Sequence, residues 1–200
     1  MAKRMLIFSL SYYPRYIGGA EIAIKEITDR IPSSELDFDM ITMRKGDKSF
    51  ERIGNINVYR IGNYKLLYPL LALIKAIKLN KINKYNMVWS MMASYAGFVG
   101  YLFKRLNPKI NFILTLQEGE FGKISLIKPI VSQIIRSADI IQAISKFLED
   151  WARKMGSRSE IVVIPNAVDF KLFSNENSIK RESNEINLIT SSRLVKKNAV

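Results

Sequence analysis

Short apolar runs alternate with helical periods along almost the whole chain, and that alternation leaves few folds open. Met5–Ser11, Phe38–Met43, Ile56–Ile61, Met87–Ser90, Phe112–Leu116, Asp139–Ala143, Ile161–Ile164 and Ile186–Thr190 read as strands. Between them, helical spacing covers Ala20–Ile31, Leu66–Lys84, Tyr95–Leu106, Leu126–Arg136 and Ser145–Met155. Arg44–Asn55 is polar, carries Gly46 and Gly54, and reads as a loop. Repeated strand–helix–strand units predict an α/β fold with a doubly wound, mostly parallel, Rossmann-like sheet.

The first such unit holds the most informative loop. Met5–Ser11 is followed by Gly18-Gly19-Ala20-Glu21, where apolar residues begin to recur at Ala20, Ala23, Ile24, Ile27 and Ile31. A loop at the carboxyl end of a parallel strand is where ligands bind in such sheets. Glycines let backbone approach a ligand closely, and the free amides of a new helix favour an anion. Glu21 would sit in the first helical turn. The alternative is that Gly18 and Gly19 make a tight turn and Glu21 complements the helix dipole.

Composition removes whole classes of chemistry. The chain has no cysteine and no histidine. That excludes disulfides, zinc-thiolate clusters, a Ser–His–Asp triad and an imidazole base from these 200 residues. Acid–base work falls to carboxylates, Lys, Tyr or substrate groups. No signal peptide and no run of apolar residues long enough to span a membrane is visible, so the chain reads as cytoplasmic. A net charge of +13 calls for an acidic partner. A nucleic-acid-binding module is one candidate, but no basic-aromatic RNA-fold signature or zinc-finger spacing supports it. A dinucleotide oxidoreductase would need Gly-x-Gly-x-x-Gly after the first strand, and Gly18-Gly19-Ala20 does not supply it.

Four stretches, in order, carry a resemblance. They are Tyr13-Pro-Arg-Tyr-Ile-Gly-Gly-Ala-Glu21, Arg136-Ser-Ala-Asp-Ile-Ile-Gln-Ala-Ile-Ser145, Val163-Ile-Pro-Asn-Ala-Val-Asp169 with Phe173, and Ser192-Arg-Leu-Val-Lys-Lys-Asn-Ala-Val200. Together they resemble the family-4 glycosyltransferases of the GT-B fold. The resemblance implies two Rossmann-like domains with a nucleotide-sugar between them. Residues 1–172 would be the N-terminal, acceptor-binding domain, 173–185 a polar linker, and 186–200 the start of a second, nucleotide-sugar-binding domain. It implies transfer of a hexosyl-type group to an acceptor hydroxyl with the anomeric configuration retained, and no metal or other cofactor. The family's paired glutamates would fall beyond Val200, so the chain as given is expected to be catalytically incomplete and its catalytic residues are unassigned.

The same resemblance implies roles for individual residues. Gly18, Gly19 and Glu21 match the loop that approaches donor and acceptor. Gln117 stands where many relatives have histidine; an amide can hydrogen-bond a sugar hydroxyl but cannot shuttle a proton. Glu118 follows it as a further substrate-binding candidate, and Glu120 is a spare carboxylate. Arg193 matches the family's phosphate-binding arginine and Lys197 its lysine, displaced by one position. Ala167 and Ala199 stand where glycine is usual.

The charge is unevenly spread. From Arg52 to Gln117 there is no acidic residue, and ten basic ones lie in that stretch. The helix from Leu66 carries an apolar face of Leu67, Leu70, Leu71, Ile74 and Ile77, with Lys75, Lys78 and Lys81 set off from it. Such a helix predicts peripheral contact with an anionic membrane surface, on its inner face, where a lipid-linked or cell-envelope glycan acceptor would be met. The alternative is that the apolar face is core and the lysines its solvated rim.

Overall fold

A computed structural model describes residues 3–46, 48–118 and 127–168. The chain divides into two units, Met1–Asn166 and Ala167–Val200, and every element below belongs to the first. The proposed linker, the strand from Ile186, Glu120, Arg193, Lys197 and Ala199 lie outside the described residues.

Strand β1 (Lys3–Phe8) leads to helix α1 (Gly19–Asp29) and β2 (Leu36–Met43). A hairpin of β3 (Phe50–Ile53) and β4 (Ile56–Ile61) follows. Then come α2 (Tyr68–Asn83), β5 (Met87–Met91), α3 (Tyr95–Leu106), β6 (Asn111–Leu116), α4 (Lys128–Ser137), β7 (Ile140–Ala143), α5 (Lys146–Lys154) and β8 (Glu160–Val163). They form one eight-stranded sheet of order β3-β4-β2-β1-β5-β6-β7-β8. All neighbouring strands are parallel except β3 and β4. This is the expected doubly wound α/β sheet.

Its middle strands are buried on both faces, which is why they read as continuous apolar runs. On one face, α1 sets Ala20 and Ile24 against Met5, Ile7, Met40, Val58 and Trp89. On the other, residues of α2, α3, α4 and α5 pack on Leu6, Phe8, Ile41, Val88, Phe112, Leu114 and Ile141. The chain winds outward from β1 to β2 and β4, then crosses back to β5. The switch point therefore lies between the carboxyl ends of β1 and β5, where ligands bind in such sheets. Ser145 caps α5 as expected, its hydroxyl accepting from the Leu148 amide at 3.4 Å.

Two sequence expectations are corrected. Arg44–Asn55 is not all loop: Phe50–Ile53 pairs antiparallel with β4, with Ile53 opposite Ile56 across a two-residue Gly54-Asn55 turn. Gly54 takes a φ of +54°, which glycine adopts without strain. The second correction concerns α2. Its core face is Tyr68, Ala72, Ala76 and Leu79, whereas Leu67, Leu70 and Ile74 are exposed. The helix is apolar on two sides. Small alanines face the sheet because the helix packs close to it, and the larger aliphatics point outward.

Candidate active site

The Tyr12–Gly18 loop leaves the carboxyl end of β1 with the Tyr12 ring buried in the α1-side core. Burial and the charge of Asp29 push the Tyr12 phenol well above its usual range, so it stays protonated. Gly18 is the N-cap of α1, with φ −127° and ψ −179°. That is extended backbone open to any residue, and Gly19 shows no positive φ either. A Cβ at Gly19 would meet nothing nearer than the Asn166 side-chain nitrogen at 3.8 Å. What these two glycines leave is open space above the helix start, with no capping side chain over its first amides. Glu21 lies in the first turn beside them.

Gln117 follows β6 at the same edge of the sheet and donates its amide to the Asn166 side-chain oxygen at 3.0 Å. Asn166 follows β8. It thus joins the Gln117 loop to the space over Gly19, a role the sequence reading did not assign. The signal was present in the Pro165-Asn166 pair of the third family-like stretch, which was read as a motif without a role for its asparagine.

Glu118 turns the other way. Its Oε1 accepts from the Ala93 amide in the β5–α3 turn, and its Oε2 is buried with no hydrogen-bond partner. Burial raises this carboxyl to about 7; the amide of Ala93 works in the opposite sense but does not offset it. Below it, the Trp89 indole donates to Thr115 at 2.8 Å, and Thr115 is 3.0 Å from Gln142. These bonds tie β5, β6 and β7 together beneath the candidate site.

The raised acidity constant gives a signed prediction. Between the ordinary value of 4.5 and about 7, native Glu118 holds a proton that the unfolded chain has released. Its contribution to stability is therefore present below pH 4.5 and lost as pH rises through about 7. Glu118→Gln, which keeps an uncharged acceptor for Ala93, should match the wild type near pH 5. By pH 8 it should be the more stable of the two, by up to about 3 kcal/mol, as measured by urea unfolding at both pH values. An equal difference at the two pH values would show that Glu118 is not buried in this way.

Lys75, Lys78 and Lys81 lie on α2, away from Gly19 and Gln117. Lys78 and Lys81 are exposed and continue the outward apolar stripe along the helix, rather than standing across from it. The Lys75 ammonium lies over the Tyr59 ring, 4.5 Å from its centroid. The first turn of α2 is anchored at the same sheet edge as the glycine loop, since the Tyr68 hydroxyl donates to the carbonyls of Ser9 and Ile41 at 3.2 and 3.0 Å. Among the described residues no group of three acidic side chains could hold a metal, and no helix is long and apolar enough to cross a membrane.

Comparison with solved structures bears on the fold. Sucrose-phosphate synthase from Thermosynechococcus elongatus superposes with a TM-score of 0.69 at 14% identity, over 85% of this chain and 49% of that one. Anabaena HepE, solved in complex with UDP and glucose, gives 0.60 at 17% identity over 86% of this chain and 46% of that one. UDP-GlcNAc 2-epimerase from Methanocaldococcus jannaschii gives 0.57 at 12% identity, over 82% and 45%. The chain thus spans about half the length of each of these proteins. At such identities the likeness establishes the sheet and its windings. The epimerase shows that the sheet alone does not choose a reaction. No curated protein sequence matches the chain. The family model of Glycosyltransferase Family 4 matches residues 17–172, well over half the sequence and from the glycine loop onward. The chain belongs to glycosyltransferase family 4.

Proposed function

We propose that this chain is the acceptor-binding half of a retaining glycosyltransferase that moves a sugar from a nucleotide-sugar to an acceptor hydroxyl. The observation that carries the reading is the family match together with the open space over Gly19, Gln117 and Asn166 at one sheet edge. Gly18 and Gly19 let the reacting groups approach the α1 amides, which favour a phosphate or a developing negative charge. Gln117 orients a sugar hydroxyl as donor and acceptor. Glu21 accepts from the acceptor at the rim. Glu118 acts at one remove, holding the turn before α3 in place. With no histidine in the chain, the acceptor proton passes to a carboxylate or to the departing phosphate. Arg193 and Lys197 would neutralise the donor diphosphate, Arg193 as a fork. The paired glutamates of the family would come from chain beyond Val200. The test is a screen of nucleotide-sugars with the complete protein, reading released nucleoside diphosphate. One or a few donors should give release that depends on added acceptor; release with none would refute the reading.

The acceptor side of this reading is a lipid-linked glycan met at an anionic membrane. Two facts support it. Leu66, Leu67, Leu70 and Ile74 are 83, 51, 60 and 44% exposed at the sheet edge that carries the glycine loop. The stretch around them has no acidic residue, with Lys78 and Lys81 further along the exposed stripe and Lys75 at its side. Each well-placed basic residue adds about 1 kcal/mol of attraction to anionic headgroups, screened by salt. The chain should sediment with vesicles rich in anionic lipid at low salt and come off as salt rises. Changing Lys75, Lys78 and Lys81 to Glu together should weaken that binding without lowering the melting temperature. A wild-type chain that stays in the supernatant would discard the membrane and leave a soluble acidic acceptor, or nucleic acid, to account for the charge.

A further inference from the structure

The glycine loop is gripped from a direction that its own sequence does not announce. Arg60, on β4, is 4% exposed, and its guanidinium pairs with Glu51 on β3. The same guanidinium donates to the carbonyl of Tyr13 and reaches the Lys48 carbonyl at 3.4 Å. In the sheet, β4 stands two places from β1, with β2 between. The loop after β1 must therefore sweep across the end of β2 to meet Arg60. Two further contacts lie along that path. Arg15 donates to the Lys45 carbonyl, and the Lys45 ammonium sits 4.1 Å from the centroid of the Tyr16 ring. Tyr13, Arg15 and Tyr16 are thus each held by the β2–β3 segment or by β4, a few residues before Gly18.

We propose that Arg60 is the positioning residue of the glycine loop, and that the β3–β4 hairpin exists at this sheet edge to hold it charged and aimed. A buried guanidinium is costly unless its charge and donors are satisfied. Glu51 supplies the charge and two backbone carbonyls take further donors, which the planar fork of arginine can serve at once. If the pair served the hairpin alone, a bond to Tyr13, 47 residues away, would not be needed. Arg60 touches no substrate. It acts by fixing the entry to Gly18 and Gly19, so that the α1 amides are already in place when a ligand arrives.

This rests on the reading of Gly18 and Gly19 as a substrate loop, and the test separates the two claims. Amide hydrogen exchange from Arg15 to Gly19 is measured in the wild type, Arg60→Lys and Glu51→Gln, with β1, β2 and β5 as internal controls. Exchange in the loop should quicken roughly tenfold or more in Arg60→Lys, through loss of a charge-assisted bond, while the central strands keep their protection. Should the Arg60 variants fail to fold, Arg15→Ala, an exposed change, should still quicken exchange at Arg15 to Gly19 relative to wild type. Loop exchange equal to wild type in the folded variants would overturn the proposal. In the complete enzyme, Arg60→Lys should raise KM for the substrate held at the loop, with kcat changed much less. A loosened loop with unchanged KM would leave the clasp standing but overturn its role in substrate binding.

Discussion

Gly19→Val should reduce sugar transfer by the complete enzyme by about 100-fold or more, while leaving its melting temperature nearly unchanged. The expectation follows from what surrounds the residue. Gly19 is exposed, its backbone needs no glycine conformation, and an added Cβ would stand 3.8 Å from the nearest neighbour, an ordinary contact. Valine at the first helical position costs the helix less than glycine does, so the fold should shift by no more than about 1 kcal/mol. The added methyl groups instead enter the space that the diphosphate or acceptor would occupy. Gly19→Ala, with one carbon, should give a smaller loss in the same direction. Parallel loss of melting temperature and activity would show that the glycine serves the turn.

Gly100→Val should have the opposite profile, removing the fold and everything with it. Gly100 lies in α3 where the helix presses on β5 and β6. A Cβ there would stand 2.7 Å from the Phe112 ring and closer still to the Ser90 hydroxyl. Gly97, one turn earlier, is equally crowded, with the Met92 carbonyl 2.7 Å from its missing Cβ. Real side chains cannot occupy such positions without moving the helix. Overpacking of this kind costs about 1–3 kcal/mol and more where backbone must shift, against a gain of about 1 kcal/mol from replacing glycine in a helix. Since α3 starts from the turn that Glu118 holds, a displaced α3 would also disturb the candidate site. Urea unfolding should show Gly100→Val destabilised by at least about 3 kcal/mol, or no cooperative transition. A change under 1 kcal/mol would mean that α3 can move outward from β5 and β6 at little cost.

Much of this architecture was legible in the chain because parallel strands buried on both faces leave continuous apolar runs, and their helices leave a helical period between them. Strand β3 was not legible in the same way. Phe50–Ile53 is a short edge strand with no buried residue, so it lacks the apolar signature, although Gly54-Asn55 between two isoleucines is a hairpin signal. In α2 the period pointed to the wrong face, because the sheet side is made by Ala72 and Ala76 while leucines cover the outside. Gly18, Gly19 and Gln117 could be picked out, since glycine loops and strand ends are local features. Arg60 and Asn166 could not be given roles: each meets its partner only after the sheet is assembled, across 47 and 49 residues.

The most direct measurement is transfer itself. The complete protein is given a labelled nucleotide-sugar, chosen by the release screen, together with a membrane extract as acceptor source, alongside the Gly19→Val variant. Label should pass into a lipid-extractable glycan with the wild type, keep its anomeric configuration, and fall to near background with the variant. Nucleotide release without any labelled glycan, or equal labelling by both proteins, would contradict a glycosyl-transfer site at this edge of the sheet.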